Sequence, residues 1–359
     1  MRLIIITQKV DKADPILGFF HEWIKEFSKN CESVMVICLE KGIVELPENI
    51  KVFSLGKESG ASKLEYVLNF YKLIWKYRKE YDSVFVHMNQ IYVLLGSLFW
   101  KIWNKKIVLW YVHRQSSFSL WLAEKFVDNI FTSSLESFTI KSKKVIYLGH
   151  GVDSNKFINN VFNSDTSKTK IVHVGRITPI KDLETLILAG EILNKKIQNL
   201  SIEIYGEGLT NEDKIYVKKL KKLVKEKYLE NVVVFKGIVK NEQISGVYAG
   251  ANLSVNLSPK GGWDKVVIES IMAYCPVFAS NLALKPVFAE YSDKFLFEYK
   301  NPSDLAIKIR TFLAEEDKEI VMKNLRDHAI KEYDFKNLIK NICVYMEQGA
   351  SKTGPEKIV

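Results

Sequence analysis

Three observations predict an α/β chain with two doubly wound, Rossmann-like parallel sheets. Short apolar runs alternate with amphipathic stretches along almost the whole sequence, the pattern of parallel strands joined by crossover helices. The alternation pauses at 154–169 (SNKFINNVFNSDTSKT), which is polar, rich in Asn and Ser and without period, and then restarts. A chain of 359 residues also exceeds one typical core, so two domains follow from length.

The elements of the first half follow in order. Leu3–Thr7 is an apolar run and reads as a buried strand. Ile16–Lys29 has helical spacing. Ser33–Leu39 and Val52–Leu55 are strands. Leu64–Tyr81 is a long aromatic helix, and Ser83–His87 a strand. Tyr92–Trp103 is a helix, Ile107–His113 a strand, Ser119–Phe126 a helix, and Asn129–Thr132 and Val145–Leu148 strands. The linker is expected at 154–169, which bounds a first domain at 1–153.

The second half repeats the scheme. Lys170–Val174, Ser201–Tyr205, Val232–Lys236, Leu253–Asn256 and Val277–Ala279 read as strands. Leu183–Leu193, Lys214–Lys227, Glu242–Ala249 and Lys265–Ala273 read as helices. The second domain is expected over 170–332, followed by helix to about Glu347, with 348–359 (QGASKTGPEKIV) disordered.

Composition narrows the function classes. Hydrophobic residues make up 47% of the chain, enough for sizeable cores. The net charge is +10, with 21 Lys/Arg against 15 Asp/Glu in residues 1–150. A mild, spread excess fits anionic small molecules or an anionic lipid surface and argues against nucleic acid. Cysteines 31, 38, 275 and 343 have no metal or redox spacing, which suits a reduced, cytoplasmic protein. The opening MRLIIITQKVDK has too short an apolar run for a signal peptide, and Ile91 to Trp103, which includes Lys101, is too short to span a bilayer.

Two segments carry the chemistry. Residues 171–183 read IVHVGRITPIKDL, and 255–280 read VNLSPKGGWDKVVIESIMAYCPVFAS. Each is an apolar run, a glycine-containing loop and a helix start. That geometry aims backbone N–H groups and a helix N-terminus at one spot and favours a phosphate. Arg176 and Lys181 add two cations, and Glu269, about one turn into its helix, is placed to accept sugar hydroxyls. Ligands of such sheets bind beyond the carboxyl ends of the strands.

With these loops the chain resembles the GT-B glycosyltransferases of family 4, the retaining "glycosyl transferases group 1", over about residues 1–347. Gly175-Arg176-Ile177-Thr178-Pro179-Ile180-Lys181 resembles the family's G-R-x4-K, whose cations bind the donor diphosphate. Gly149-His150-Gly151-Val152-Asp153 resembles its N-G-V-D segment. Tyr205-Gly206-Glu207-Gly208 resembles its G-x-G segment, and Phe235-Lys236-Gly237-Ile238-Val239 the segment that reads the nucleobase. Glu269 matches the second Glu of E-x7-E, on the ribose, while Gly261 stands where the first is expected. Gly261 and Gly262 still allow close backbone approach. Asp264 or Lys265 is the candidate replacement contact, with Trp263 beside them. Tyr274 stands where the family has a helix-ending Gly.

In the first domain, Asp14-Pro15-Ile16-Leu17-Gly18 resembles the glycine-bearing loop facing acceptor and diphosphate. Trp110-Tyr111-Val112-His113 resembles the strand end whose His touches the transferred sugar, and Arg114 and Gln115 follow it into the expected cleft. His87 and Asn89 end another strand and are acceptor-side candidates. A crossing C-terminal helix is expected over 333–347. The implied reaction is retaining transfer from a UDP or GDP sugar to an acceptor hydroxyl of a glycan or glycolipid, in cell-surface polysaccharide biosynthesis. The leaving diphosphate itself takes the acceptor proton. No D-x-D occurs, so neither metal nor cofactor is expected.

Plainer readings stand beside these. Asp264 is a natural N-cap for the following helix. His113 and His87 are also placed to be satisfied core histidines. The helix from Lys63 to Tyr81, with its interleaved aromatic and basic residues, is either an amphipathic helix packed on the sheet or a patch for the inner face of the cell membrane. The loss of a Glu at 261 keeps open a non-catalytic sugar-nucleotide-binding subunit.

Overall fold

The computed structural model describes residues 1–14, 17–113, 115–134, 137–165, 167–259 and 264–348. It divides into two compact units. One is Met1–Gly151 together with the segment from Phe335, and the other is Val152–Asp334.

The first unit runs β1 (Arg2–Val10), α1 (Gly18–Asn30), β2 (Ser33–Lys41), β3 (Ile50–Ser54), α2 (Lys63–Lys76), β4 (Ser83–His87), α3 (Ile91–Ile102), β5 (Lys106–Trp110), α4 (Phe118–Phe126), β6 (Asn129–Thr132) and β7 (Val145–Tyr147). The sheet order is β3-β2-β1-β4-β5-β6-β7, and every pairing is parallel. Both faces are covered, so β1 is apolar at successive residues. Leu3 and Ile5 join a core with Phe20, Ile24 and Phe27 of α1. Ile4 and Ile6 join the opposite core with Phe70 of α2, Trp100 of α3 and Leu120 of α4.

The second unit runs β8 (Thr169–Val174), α5 (Leu183–Asn194), β9 (Leu200–Tyr205), α6 (Asn211–Glu226), β10 (Val233–Gly237), α7 (Ile244–Ala249), β11 (Leu253–Asn256), α8 (Lys265–Met272) and β12 (Val277–Ala279). Short helices α9 (Lys285–Phe288) and α10 (Ser292–Phe295) lead to α11 (Pro302–Ala314) and α12 (Lys318–Tyr333). The parallel sheet has order β10-β9-β8-β11-β12, so strand order reverses between β8 and β11. α13 (Phe335–Gln348) belongs to the first unit, where Leu338, Ile339 and Ile342 extend the α1 core.

Several expectations are corrected. Residues 154–165 are not a free linker. Phe157 is 2% exposed in the second unit's core, Asn160 Nδ2 donates to Ser245 O at 3.2 Å, and Asn252 Nδ2 donates to Asp165 O at 2.6 Å. Ser154 and Asn160 are hydrogen-bonded to the second unit while Ile158 and Val161 stay exposed, so the polar composition belongs to a tethered surface segment. The chain changes unit at Gly151/Val152 and at Asp334/Phe335.

The second helix ends at Lys76, where Arg78 N–H bonds to Trp75 O and Glu80 N–H to Tyr77 O; Tyr81 lies beyond it, fully buried against Trp100. Tyr274 takes φ +59 after α8 and is held there. Cys275 N–H bonds to Ser270 O and Tyr274 N–H to Ile271 O, the two bonds of a Schellman motif. Arg326 stacks on its ring at 4.3 Å while donating to Met272 O. The tail beyond residue 348, expected to be disordered, lies outside the described residues.

Candidate functional site

Three loops of the second unit are stitched together at the carboxyl ends of β8, β9 and β10. Gly175 N–H donates to Tyr205 O at 3.0 Å, Ile177 N–H to Glu207 O at 3.0 Å, and Gly206 N–H to Gly237 O at 2.8 Å. The chain reaches this register only with glycine. Gly206 has φ +139, and a Cβ on it would stand 1.9 Å from Gly175 O. Gly175 and Gly237 also have positive φ, +153 and +74. Ile238, just past β10, is 67% exposed.

The cations stand where β8 and β11 diverge. Arg176 is exposed and makes no hydrogen bond or ion pair among the described residues. Lys181 ends a short 3-10 turn, Pro179–Lys181, and is turned inward. Its Nζ lies 2.5 Å from Asp264 Oδ2 and 2.8 Å from Ser258 Oγ. Ser258 Oγ and Asn256 Nδ2 also donate to Asp264 Oδ2, at 2.6 and 2.9 Å. Burial alone raises the Asp264 carboxyl, but the Lys181 charge and these three donors outweigh it and hold it below the usual carboxylate range.

This geometry corrects the N-cap reading. Asp264 occupies the N-cap position of α8, but its side chain makes no capping bond because it is held by Lys181. Ser258 and Asn256, at the end of β11, were not singled out from sequence. The polar SP and N after an apolar strand were the signal available.

The helix N-terminus argument holds at one helix only. At α5 the first N–H, of Leu183, already donates to the Tyr216 hydroxyl at 2.9 Å, and Asp182 and Glu184 place acidic groups there. That end does not favour an anion. At α8 the first turn holds no acidic residue and begins with Lys265, and the carboxylate at its N-cap, Asp264, is paired with Lys181. Glu269 follows Lys265 at i+4 and both are half-buried. Burial pushes the Glu269 carboxyl up, opposed by the charges of Lys265 and Lys156, and pushes the Lys265 amine down, opposed by Glu269. Lys156 comes from the segment read as linker, which is why sequence did not flag it.

Behind these groups, His173 is 1% exposed with Nδ1 3.0 Å from Val255 O. Burial lowers it to about 4, so it is neutral at physiological pH and its Nε2 is an acceptor. Nε2 and the buried Asn256 Oδ1 have no hydrogen-bond partner among the described residues.

In the first unit the candidates separate. His113 is exposed and lies three residues past β5, which ends at Trp110 rather than at His113; its Nδ1 accepts from Gln115 N–H at 3.1 Å. Asn89 is half-buried, with Nδ2 3.3 Å from Gln8 Oε1. Gly18 is the first residue of α1, and a Cβ there would approach Lys12 O to 3.1 Å. His87 is a core residue, correcting its acceptor-side assignment: it is 3% exposed, stacked on Phe20 at 3.9 Å, with Nδ1 3.2 Å from Thr7 Oγ1. Arg114, Gly261, Gly262 and Trp263 lie outside the described residues. Among the described residues, no group of three or more His, Cys, Asp or Glu is placed to hold a metal ion.

Residues 154–332 match the family described as "Glycosyl transferases group 1". The chain is 29% identical over 179 residues to Sulfoquinovosyl transferase SQD2 of Arabidopsis thaliana, covering 48% of this chain and 32% of the relative. It is 30% identical over 143 residues to the Poly(ribitol-phosphate) alpha-N-acetylglucosaminyltransferase of Staphylococcus aureus (strain COL), covering 39% and 27%. The chain thus spans about a third of the length of these curated relatives. Its fold is similar to that of Anabaena Alr3699/HepE in complex with UDP, with a TM-score of 0.73, 19% identity, and coverage of 97% of this chain and 100% of that one. The architecture is that of GT-B, two Rossmann-like parallel-sheet domains.

Proposed function

We propose that this chain, whose residues 154–332 match the glycosyl transferases group 1 family, is a retaining, metal-independent glycosyltransferase of family 4 that uses a nucleoside-diphosphate sugar. The observation that carries the reading is the arrangement at the β8/β11 switch point. Arg176, exposed and without a hydrogen bond or ion pair among the described residues, follows a loop register that only glycine can form, and the inward Lys181 meets Asp264 at the start of the helix that carries the half-buried Glu269. Arg176 and Lys181 stabilise the charge of the leaving diphosphate, and Glu269 accepts from the ribose hydroxyls. The backbone at Gly237 and Ile238 lies at the nucleobase, and Gly206 lines the donor loop.

In the transfer, the acceptor oxygen bonds to the anomeric carbon as the bond from that carbon to the diphosphate breaks. The acceptor proton passes to a diphosphate oxygen, so no protein nucleophile is used. The chain's contribution is positioning and fixed positive charge. A UDP donor is the preferred reading, supported by a structural neighbour solved with UDP. A cell-surface glycan or glycolipid acceptor is supported by the S. aureus relative, named for poly(ribitol-phosphate). Through the family resemblance His113 touches the transferred sugar and Gly18 belongs to the loop facing acceptor and diphosphate, while Asn89, just past β4, is an acceptor-side candidate. A cytoplasmic location is part of this reading, supported by four cysteines without metal or redox spacing.

A second reading, a non-catalytic sugar-nucleotide-binding subunit, is favoured by one observation: Asp264 already neutralises Lys181. Incubating the purified protein with UDP- and GDP-sugars, with and without EDTA, separates the two. Release of nucleoside diphosphate, unaffected by EDTA, is expected. Binding without turnover supports the subunit, metal-dependent turnover overturns the mechanism, and absence of binding overturns both readings.

A further inference from the structure

We propose that the outer face of the α2–α3–α4 layer is a docking surface for an anionic lipid bilayer. The inference does not rest on the transferase reading. These helices cover one face of the first sheet, and each also presents an apolar stripe outward at helical spacing. On α2 it is Leu64, Leu68 and Trp75, which are 70%, 57% and 51% exposed. On α3 Ile91, Leu98 and Ile102 are 45%, 66% and 70% exposed, and on α4 Phe118 and Trp121 are 75% and 45% exposed. Three successive helices exposing such stripes form more than the scattered surface apolars of a soluble domain.

Between α2 and α3 the stripe opens into a groove of about 480 Å³, walled by Tyr71, Trp75, Phe99 and Trp103 and edged by Lys72 and Lys76. Its walls are nearly all apolar, which suits the end of an acyl chain. Phe70 and Tyr81 pack inward, but Trp75 does not.

Charge selects the occupant. Lys63, Lys72, Lys76 and Lys79 are exposed and form no ion pair among the described residues. The Arg78 guanidinium lies 4.9 Å over the Trp75 ring, and the Lys125 amine 5.3 Å over the Trp121 ring. The acids nearby are engaged: Glu65 in the α2 capping box, Glu80 with Lys51, Asp128 with Lys101. Lys125 is paired with Glu124, but the α2 lysines are not paired among the described residues, and amphipathic aromatics flanked by such cations match the interface of an anionic bilayer, apolar inward and basic at the headgroups.

Cosedimentation of the full chain with phosphatidylcholine vesicles, with and without phosphatidylglycerol, tests this without nucleotide. Binding only to the anionic vesicles, weakened by salt, is expected. Lys72→Glu/Lys76→Glu should weaken it by more than about ten-fold, since each cation near such a surface is worth about five-fold. Leu98→Ser/Ile102→Ser should release the protein with its charge intact, and both variants should keep the wild-type melting temperature because the changed side chains are exposed. Protein left in the supernatant at low salt, or variants that bind like wild type, would overturn the proposal. So would a lipid-free dimer that Leu98→Ser/Ile102→Ser dissociates, which would assign the face to a second copy.

Discussion

Replacing Gly206 by alanine should damage the fold and the site together, and the size of the effect can be worked from the loops. The added Cβ would stand 1.9 Å from Gly175 O and 2.9 Å from Gly175 C. Restoring a normal contact of roughly 3.4 Å means moving one loop by about 1.5 Å. That displacement breaks the Gly175 N–H to Tyr205 O and Gly206 N–H to Gly237 O bonds, at about 1 kcal/mol each. Alanine at φ +139 adds about 1–2 kcal/mol of backbone strain. The sum is about 3–4 kcal/mol, and a domain of this size loses about 2–4 °C of Tm per kcal/mol. Gly206→Ala should therefore melt roughly 6–15 °C lower. Because Arg176 follows Gly175 directly, the variant should also bind nucleotide more weakly. Gly246→Ala is the control: Gly246 lies in α7 with nothing within 4 Å of its added Cβ, so the change should be neutral or stabilising by up to about 1 kcal/mol. Calorimetric melts of the two variants decide the matter. A Gly206→Ala protein that melts like the wild type and binds nucleotide equally well refutes the reasoning.

Two further outcomes follow from the electrostatics of the same site. Asp264→Asn frees Lys181 and removes a negative charge beside the proposed diphosphate. At an effective dielectric of ~20 and roughly 5 Å, that repulsion is ~3 kcal/mol before screening, so the bare diphosphate should bind at least several-fold tighter in a titration. Matching losses for the bare nucleotide and the sugar donor would instead mean that the Lys181–Asp264 pair builds the site. Burial raises the Glu269 carboxyl, so it protonates at a higher pH than an ordinary glutamate, and the protonated form loses acceptor capacity for ribose. Nucleotide affinity should fall on acidification before pH reaches the usual ~4.3, and Glu269→Gln should flatten that part of the profile; an unchanged profile in the variant assigns the titration elsewhere.

The repeating strand and helix order was legible because both sheets are buried on two faces, so strands read as apolar runs and the crossovers as amphipathic stretches. β4, β6, β11 and β12 begin and end where the apolar runs do. The expectation lost accuracy where tertiary bonds override local pattern. The aromatic periodicity of α2 continues past its end because Tyr81 is a core residue of the next turn. Residues 154–165 read as a linker because their Asn and Ser side chains are polar, although Ser154 and Asn160 are held by the second unit. At the site, Gly175, Arg176 and Lys181 were visible as one local motif. The partner of Lys181 was not, since Asp264 lies 83 residues away and has the local signature of a helix cap. His87 misled for the same reason: a strand-end histidine looks identical in sequence whether it faces a ligand or stacks on Phe20.

The central claim is that the second unit binds a nucleoside diphosphate through its fixed cations. Isothermal titration of UDP and GDP into wild type, Arg176→Ala and Arg176→Ala/Lys181→Ala tests it most directly. Charge-assisted hydrogen bonds contribute about 1.5–3 kcal/mol each, so Arg176→Ala should weaken one of these nucleotides by about ten-fold or more. The double variant should lose roughly a hundred-fold while keeping its fold. Unchanged affinity in both variants, or no binding of either nucleotide to the wild type, would contradict the account.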